Sequence, residues 1–413
     1  MQPDLHTLPT CMVQGRTGRF FLLKLLPIKA RVLAVDHPDR RTNLVNRADL
    51  SDIREPANSL FADAAEPGSS PLTQPSGPPQ PLPYGALDLD PVVVTDRGPP
   101  LRVKCYVRDC QRMLRPPSRG FKGDVCRDHG IRCHLSGSSP TYSYVRAERN
   151  IIASPRLFTT KLRGNKFKYE THRFGYERSE DCLTWNVFRS FQEAGCLHEI
   201  LRFVTGLDIR EEPELFLWGL RMTDDSLEPW PLLLKAREGF ESSLPVRRPG
   251  TEPDISIVSR GRALLLIEAK FCSPNTCYIA GPRKDAQSLT LAELIDIYQD
   301  PALQILDVSR AKAADRVHYQ LWRNMIFSEF MAGLDSPTTQ AYHANLVRAG
   351  YEHESTSEFR QLIRPEFADR FARITWENLF VLAHLHWRKL TLLIEYMLTK
   401  TASLSPAFQL DAW

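Results

Sequence analysis

Five apolar residues in succession, Ala263-Leu264-Leu265-Leu266-Ile267, run directly into Glu268-Ala269-Lys270. A continuous apolar run of this length, with no polar alternation, predicts a central strand covered on both faces. Just upstream, Ile255, Ile257 and Val258 lead to Ser259-Arg260-Gly261, which predicts a partner strand and a tight turn. Helices must cover such a pair. Cys182 to Phe191 places apolar residues at helical spacing, with Ser179, Glu180 and Asp181 suited to its N-terminus and an end near Gly195. Further elements are expected as a helix across Ala313–Ala332, a strand over Tyr342–Val347, and a helix from Trp376 towards Lys400. Trp185, Trp322 and Trp376 fall at apolar helical positions and are expected in the core. The pattern predicts an α/β sandwich, a central mixed sheet flanked by helices.

The charges around the strand pair are the chemical signal. Glu252-Pro253-Asp254 leads, fourteen residues later, to Glu268-Ala269-Lys270. Side chains alternate along a strand, so Glu268 and Lys270 share a face while Ala269 takes the other. Asp254 begins the neighbouring strand and can lie beside them. Two carboxylates and an ammonium at the end of an apolar strand are costly unless compensated. A divalent cation with hard oxygen ligands, Mg²⁺ or Mn²⁺, would compensate them. It can also polarise a phosphodiester and lower the pKa of an attacking water. Lys270 can orient that water or stabilise developing negative charge.

Here the sequence resembles the PD-(D/E)XK nuclease superfamily, on Pro253-Asp254 and Glu268-Ala269-Lys270 within a strand–turn–strand. The resemblance spans about 175–400 and implies the restriction-endonuclease-like fold. It implies that Asp254 and Glu268 hold the metal, with the Ala269 carbonyl as a further ligand, and that Lys270 assists the water. Members often carry an acidic residue on the helix before the hairpin, where Glu180 stands, and a Gln on the following helix, where Gln320 stands. Exonuclease-type members often place a Tyr four residues after that Gln. Asn324 occupies the position here, which leaves endo- or exonuclease open.

A second cluster is Cys105-x4-Cys110, fifteen residues, then Cys126-x2-His129, with Cys133 and His134 as alternative ligands. Paired thiolate and imidazole spacings of this kind suit a tetrahedral structural zinc. The intervening Arg115-Pro116-Pro117-Ser118-Arg119-Gly120 is too polar and turn-rich to form a core, so the metal would supply the stability. Cys272 and Cys277 have no second pair nearby and are expected as packed or loop cysteines; Cys182 and Cys196 read as packing. Arg115, Arg119, Lys122, Arg127 and Arg132 are candidates for phosphate contacts.

The expected organisation of the 413 residues is an N-terminal segment 1–55, a Pro-rich flexible linker 56–100, a zinc-binding module 101–145, a basic connection 146–174, a nuclease-like domain 175–400 and a tail 401–413. A net charge of +4 permits nucleic-acid binding without demanding it. No run approaches the length of a membrane span. Phe20-Phe21-Leu22-Leu23-Lys24-Leu25-Leu26 is broken by Lys24, and no small-residue cleavage site follows promptly. Nine unevenly spread cysteines do not suggest a disulfide framework, so a cytoplasmic location is expected. Three functions compete. The first is a metal-dependent nuclease, with DNA the expected partner, in restriction, defence or repair. The second is a nucleic-acid-binding or interaction protein without turnover. The third is a metal enzyme acting on another phosphoester.

Overall fold

A computed structural model describes residues 10–14, 20–24, 102–118, 121–136, 139–162, 174–242, 250–279, 289–299, 305–402 and 404–410. The chain divides into two compact units, Met1–Pro81 and Leu82–Ala412. The described part of the first is an antiparallel hairpin, β1 (Thr10–Gln14) and β2 (Phe20–Lys24). The expected Pro-rich linker lies outside the described residues, as does the strand expected from Ala30 to Val35.

The second unit opens with a small module of short strands: β3 (Val103–Lys104), β4 (Met113–Leu114), β5 (Val125–Cys126), β6 (Ile131–Ser136) and β7 (Ser139–Tyr144). Its apolar centre is small, built from Val103, Tyr106, Leu114, Ile131 and Tyr142 around buried cysteines.

The larger part is a seven-stranded mixed sheet flanked by helices. In chain order its elements are α1 (Glu180–Glu193), α2 (Leu197–Thr205), β8 (Glu214–Leu217), β9 (Leu220–Met222), β10 (Leu227–Pro229), α3 (Pro231–Glu241), β11 (Ile255–Ser259) and β12 (Ala263–Ala269). There follow β13 (Cys277–Ile279), α4 (Leu291–Ile297), α5 (Val308–Ala313), β14 (Arg316–His318), α6 (Tyr319–Asp335), β15 (Gln340–Val347), α7 (His353–Arg360), β16 (Phe371–Thr375), α8 (Trp376–Leu385) and α9 (Trp387–Thr399). The sheet order is β10-β9-β8-β11-β12-β15-β16. β11 and β12 pair antiparallel, Ile255 opposite Ile267 and Ser259 opposite Ala263, through a turn that Gly261 closes at φ +68°. β12, β15 and β16 run parallel. Parallel neighbours need a long crossover, and α6 supplies it between β12 and β15.

All seven residues of β12 are buried, and the alternation sorts them. Ala263, Leu265, Ile267 and Ala269 join the core beneath α1, α8 and α9, whereas Leu264 and Leu266 join the core beneath α3, α4 and α6. Each core sits against one sheet face, as expected for a strand without polar alternation. Trp185, Trp322 and Trp376 are all buried in these cores.

Three sequence expectations need adjustment. The helix foreseen across Ala313–Ala332 begins at Tyr319, because Arg316–His318 pairs as β14 against β13. The single helix from Trp376 is two, α8 and α9, with His386 between them. The expected basic connection contributes Ile151, Leu157, Phe158 and Phe174 to the core under α1, and the expected tail contributes Ala407 and Phe408. Both expected boundaries therefore lie inside a packed unit, and the cations between Lys161 and Lys168 fall largely outside the described residues.

Candidate active site and metal centre

α1 starts where its sequence says it should. The Ser179 hydroxyl accepts from the Cys182 amide at 3.1 Å, with Glu180 and Asp181 in the first turn. Glu180 does not simply face solvent near the helix dipole. Its Oε2 accepts from the Phe271 amide at 2.6 Å and from the Ser273 hydroxyl at 3.2 Å, tying α1 to the end of β12.

Asp254 precedes β11, and its Oδ2 accepts from the Ala269 amide at 2.9 Å. Glu268, the penultimate residue of β12, is only 1% exposed, and Lys270 just beyond it is 6% exposed. The Lys270 ammonium lies 2.5 Å from Glu268 Oε1 and 3.9 Å from Glu180 Oε1. Main-chain bonds set the lysine in place: its amide donates to the Leu346 carbonyl at 2.7 Å, and its carbonyl accepts from the Trp376 indole at 3.1 Å.

From the other side of the sheet α6 reaches Glu268 with two amides. Gln320 Nε2 donates to Oε1, and Asn324 Nδ2 donates to Oε2 at 2.8 Å. One helical turn separates these residues, so they present adjacent amides to one carboxylate. Gln320 Oε1 in turn accepts from the Thr276 amide at 3.2 Å. Asp254, Glu268, Lys270, Glu180 and Gln320, spread over 180–320 in sequence, thus converge.

The electrostatics follow from three carboxylates gathered in low dielectric. Burial raises the Asp254 pKa well above the usual carboxylate range, and the charges of Glu268 and Glu180 push it further than Lys270 pulls it back. Burial likewise raises Glu180 to about 7 against the opposing pull of Lys270. For Lys270 burial acts downward, but Glu268, Asp254 and Glu180 outweigh it and raise the pKa. Ionising all three carboxylates together would exceed what one lysine balances, and burial opposes that charge further, so Asp254 and Glu180 hold their protons to higher pH.

In the small module Cys105, Cys110, Cys126 and His129 form a group whose ligand atoms all lie within 4.8 Å of one another and could hold a metal ion. His129 Nδ1 is 3.3 Å from the Cys126 sulfur and 3.7 Å from that of Cys105, and the Cys110 and Cys126 sulfurs are 3.8 Å apart. A one-turn reversal from Cys126 to Gly130, the latter at φ +62°, folds His129 back beside its cysteine. Burial and the neighbouring Cys105 thiol help push Cys126 up to about 11, a strain that binding of a cation would reverse. Neither alternative ligand is a member of this group, although Cys133 adjoins it. Cys133 is fully buried and shares a hydrogen bond with Cys105. His134 bonds the Ser143 hydroxyl at 2.6 Å and leans on Tyr176.

Of the module's candidate phosphate contacts, Arg115 has partners inside the module, with two bonds of 3.0 Å to Asp124 and its guanidinium over Phe121. Arg119 lies outside the described residues. Among the cysteines whose side chains are described, Cys272 and Cys277 included, none is in a disulfide. No helix among the described residues is long and apolar enough to cross a membrane.

Sequence reasoning treated Asn324 only as a departure from a pattern and passed over Arg323. Their signal was available in the helical spacing from Gln320, but only the position of α6 over β12 gives that spacing meaning. Comparison with protein-family models, with curated proteins and with solved structures gives no match in any of the three, so any functional reading stands on the two constellations themselves.

Proposed function

We propose that this chain is a metal-dependent nuclease of restriction-endonuclease-like fold that hydrolyses phosphodiester bonds in DNA. The observation that carries the reading is the convergence of Asp254, Glu268, Glu180 and Lys270 at the end of a buried strand, with Gln320 and Asn324 fixing Glu268. A structural ion-pair network would balance its charges. Here three carboxylates face one ammonium, and burial first, with mutual repulsion behind it, raises the pKa values of Asp254 and Glu180. A cation that let all three ionise would relieve both effects, which supports a ligand role.

Asp254 and Glu268 would hold Mg²⁺ or Mn²⁺, with Glu180 beside them. When bound, the ion supplies Lewis-acid polarisation of the phosphodiester and a more acidic water. The remaining work belongs to the chain. Lys270, its pKa raised by its neighbours, stays an ammonium at neutral pH. It would therefore stabilise charge developing on the phosphorane rather than accept a proton. Gln320 and Asn324 hold the Glu268 carboxylate in one orientation, and outer partners of this kind matter to affinity and rate.

The Cys/His group is proposed as a structural zinc centre. Zinc at about 2.3 Å from sulfur and about 2.0–2.1 Å from nitrogen sets tetrahedral edges of about 3.8 Å between sulfurs and about 3.5 Å between sulfur and nitrogen. The separations of 3.8, 3.7 and 3.3 Å suit those edges. A zinc held there supports a module too small to stabilise itself.

The test is incubation of the purified chain with plasmid, linear duplex and single-stranded DNA, with Mg²⁺ or Mn²⁺ and with chelator. Cation-dependent cleavage of at least one form is expected. Binding without cleavage of any form would favour the reading of a nucleic-acid-binding protein without turnover.

A further inference from the structure

Arg323 is the charged side chain on the Glu268-facing stripe of α6, and the proposed chemistry has not used it. Tyr319, Gln320, Arg323 and Asn324 are spaced so that they occupy one side of that helix. Gln320 and Asn324 end on Glu268. The Arg323 guanidinium lies over the Tyr319 ring, 4.9 Å from its centroid, and donates only a long bond of 3.4 Å to the Tyr319 hydroxyl. Among the described residues no carboxylate comes within 4.0 Å of it, and its Nε is buried without a partner. The Tyr319 hydroxyl is itself engaged with Tyr298, which donates to Glu241 at 2.9 Å, so the ring is braced from behind.

Burial of the guanidinium opposes its charge, Tyr319 and Glu268 offset this without any carboxylate in direct ion-pair contact, and an anion drawn from outside would add that direct partner. The acidic groups shown nearby, Glu268 and Glu241, are engaged with other partners. Glu268 is taken by Lys270, Gln320 and Asn324. The nearby site attracts cations, so an anion that binds at Arg323 must be one that also accepts a metal on its other oxygens. A phosphodiester has that character, since one non-bridging oxygen can accept from the planar guanidinium donors while the other stays available to a cation.

We propose that Arg323 binds a backbone phosphate of the nucleic-acid substrate at the Glu268 end of β12, with Tyr319 holding the guanidinium in place. This deepens the nuclease reading and rests on it for the nature of the substrate, but it concerns binding rather than turnover. Arg323 acts as a substrate-positioning cation that fixes the strand against the carboxylates.

The experiment is fluorescence anisotropy of a labelled oligonucleotide, single-stranded and duplex, with the full chain in Ca²⁺ across a salt series. Arg323→Met should weaken binding roughly tenfold and reduce the slope of log affinity against log salt by about 0.7–0.9, one phosphate contact. Arg323→Gln, which retains a donor for Tyr319, should do the same and guards against a variant that fails to fold. Oligonucleotides carrying a single neutral methylphosphonate, placed at successive positions, supply the second readout. At one position the substitution should weaken the wild type yet leave Arg323→Met no weaker than it already is. Unchanged affinity and slope in both variants would overturn the proposal. So would additive losses at every methylphosphonate position, or a wild type that binds no oligonucleotide. If the wild type binds but cuts nothing with Mg²⁺ or Mn²⁺ while both variants bind less, the nuclease reading fails and the Arg323 contact stands.

Discussion

Asn324 Nδ2 donates to Glu268 Oε2 at 2.8 Å, so a residue on α6 fixes the orientation of the carboxylate at the end of β12. Asn324 is fully buried, and so is its partner. Asn324→Leu keeps the approximate volume and removes the donor. It should lower metal affinity or turnover by about 10–100-fold, the usual consequence of losing a partner behind a metal ligand. Isothermal titration with Mn²⁺ beside a cleavage assay reads both. An unchanged affinity and rate would mean that Lys270 and Gln320 alone orient Glu268.

The Trp376 indole donates to the Lys270 carbonyl at 3.1 Å in a buried setting. Trp376→Phe keeps an aromatic ring in the core and deletes that bond. A loss of about 1–3 kcal/mol in stability is expected, seen as a lower denaturant midpoint with an unchanged slope. No change in the midpoint would show that the carbonyl is satisfied otherwise.

Carboxylates with raised pKa values give a defined pH signature. Burial raises Glu180 from a usual value near 4.5 to about 7, and Asp254 moves in the same direction. The folded state then binds protons more tightly than the unfolded one. The associated stability is present below the unfolded pKa and is lost as pH rises through the folded value. Between about pH 4.5 and 7 the cation-free protein should therefore lose stability relative to Glu180→Gln. Mg²⁺ should raise the melting temperature more at pH 8 than at pH 5, because protons no longer compete. Thermal melts over that range, with and without the ion, test it, and a cation effect that shrinks with rising pH would contradict the charge argument.

For the small module, protein purified without chelator should carry one tightly held zinc per chain. Cys110→Ser and Cys126→Ser should release it and loosen the module, whereas Cys133→Ser should retain it, since Cys133 stands outside the ligand group. Elemental analysis decides. Zinc that survives in Cys110→Ser, or disappears in Cys133→Ser, would require a different ligand set.

How much of this was legible in the sequence follows from what each signal depends on. The hairpin of β11 and β12 was readable because a continuous apolar run and a Gly261 turn are local properties, and the paired strands followed at the expected register. Glu180 and Gln320 were proposed from a resemblance, and the structure places both at Glu268 or at the residues following it. Arg323 and the inward turn of Asn324 were not legible, because a helix period says which residues share a side but not what that side covers. The segment around Ile151 and Phe158 reads as a connection in sequence because its basic residues mask an apolar contribution to the core. The start of α6 was misplaced because pairing of β13 with β14, a long-range contact, overrode the local helical pattern.

The central claim is that Asp254, Glu268 and Lys270 form one metal-dependent catalytic unit. Its most direct test combines calorimetric titration of Mn²⁺ with DNA cleavage for Asp254→Asn, Glu268→Gln and Lys270→Met. Asp254→Asn and Glu268→Gln should lose cation binding and cleavage together while remaining folded, because they remove the uncompensated charge. Lys270→Met should still bind the ion, at least as tightly as wild type, yet lose turnover. Three variants that cut as well as the wild type would contradict the account, and so would a Lys270→Met protein that loses the cation while keeping its activity.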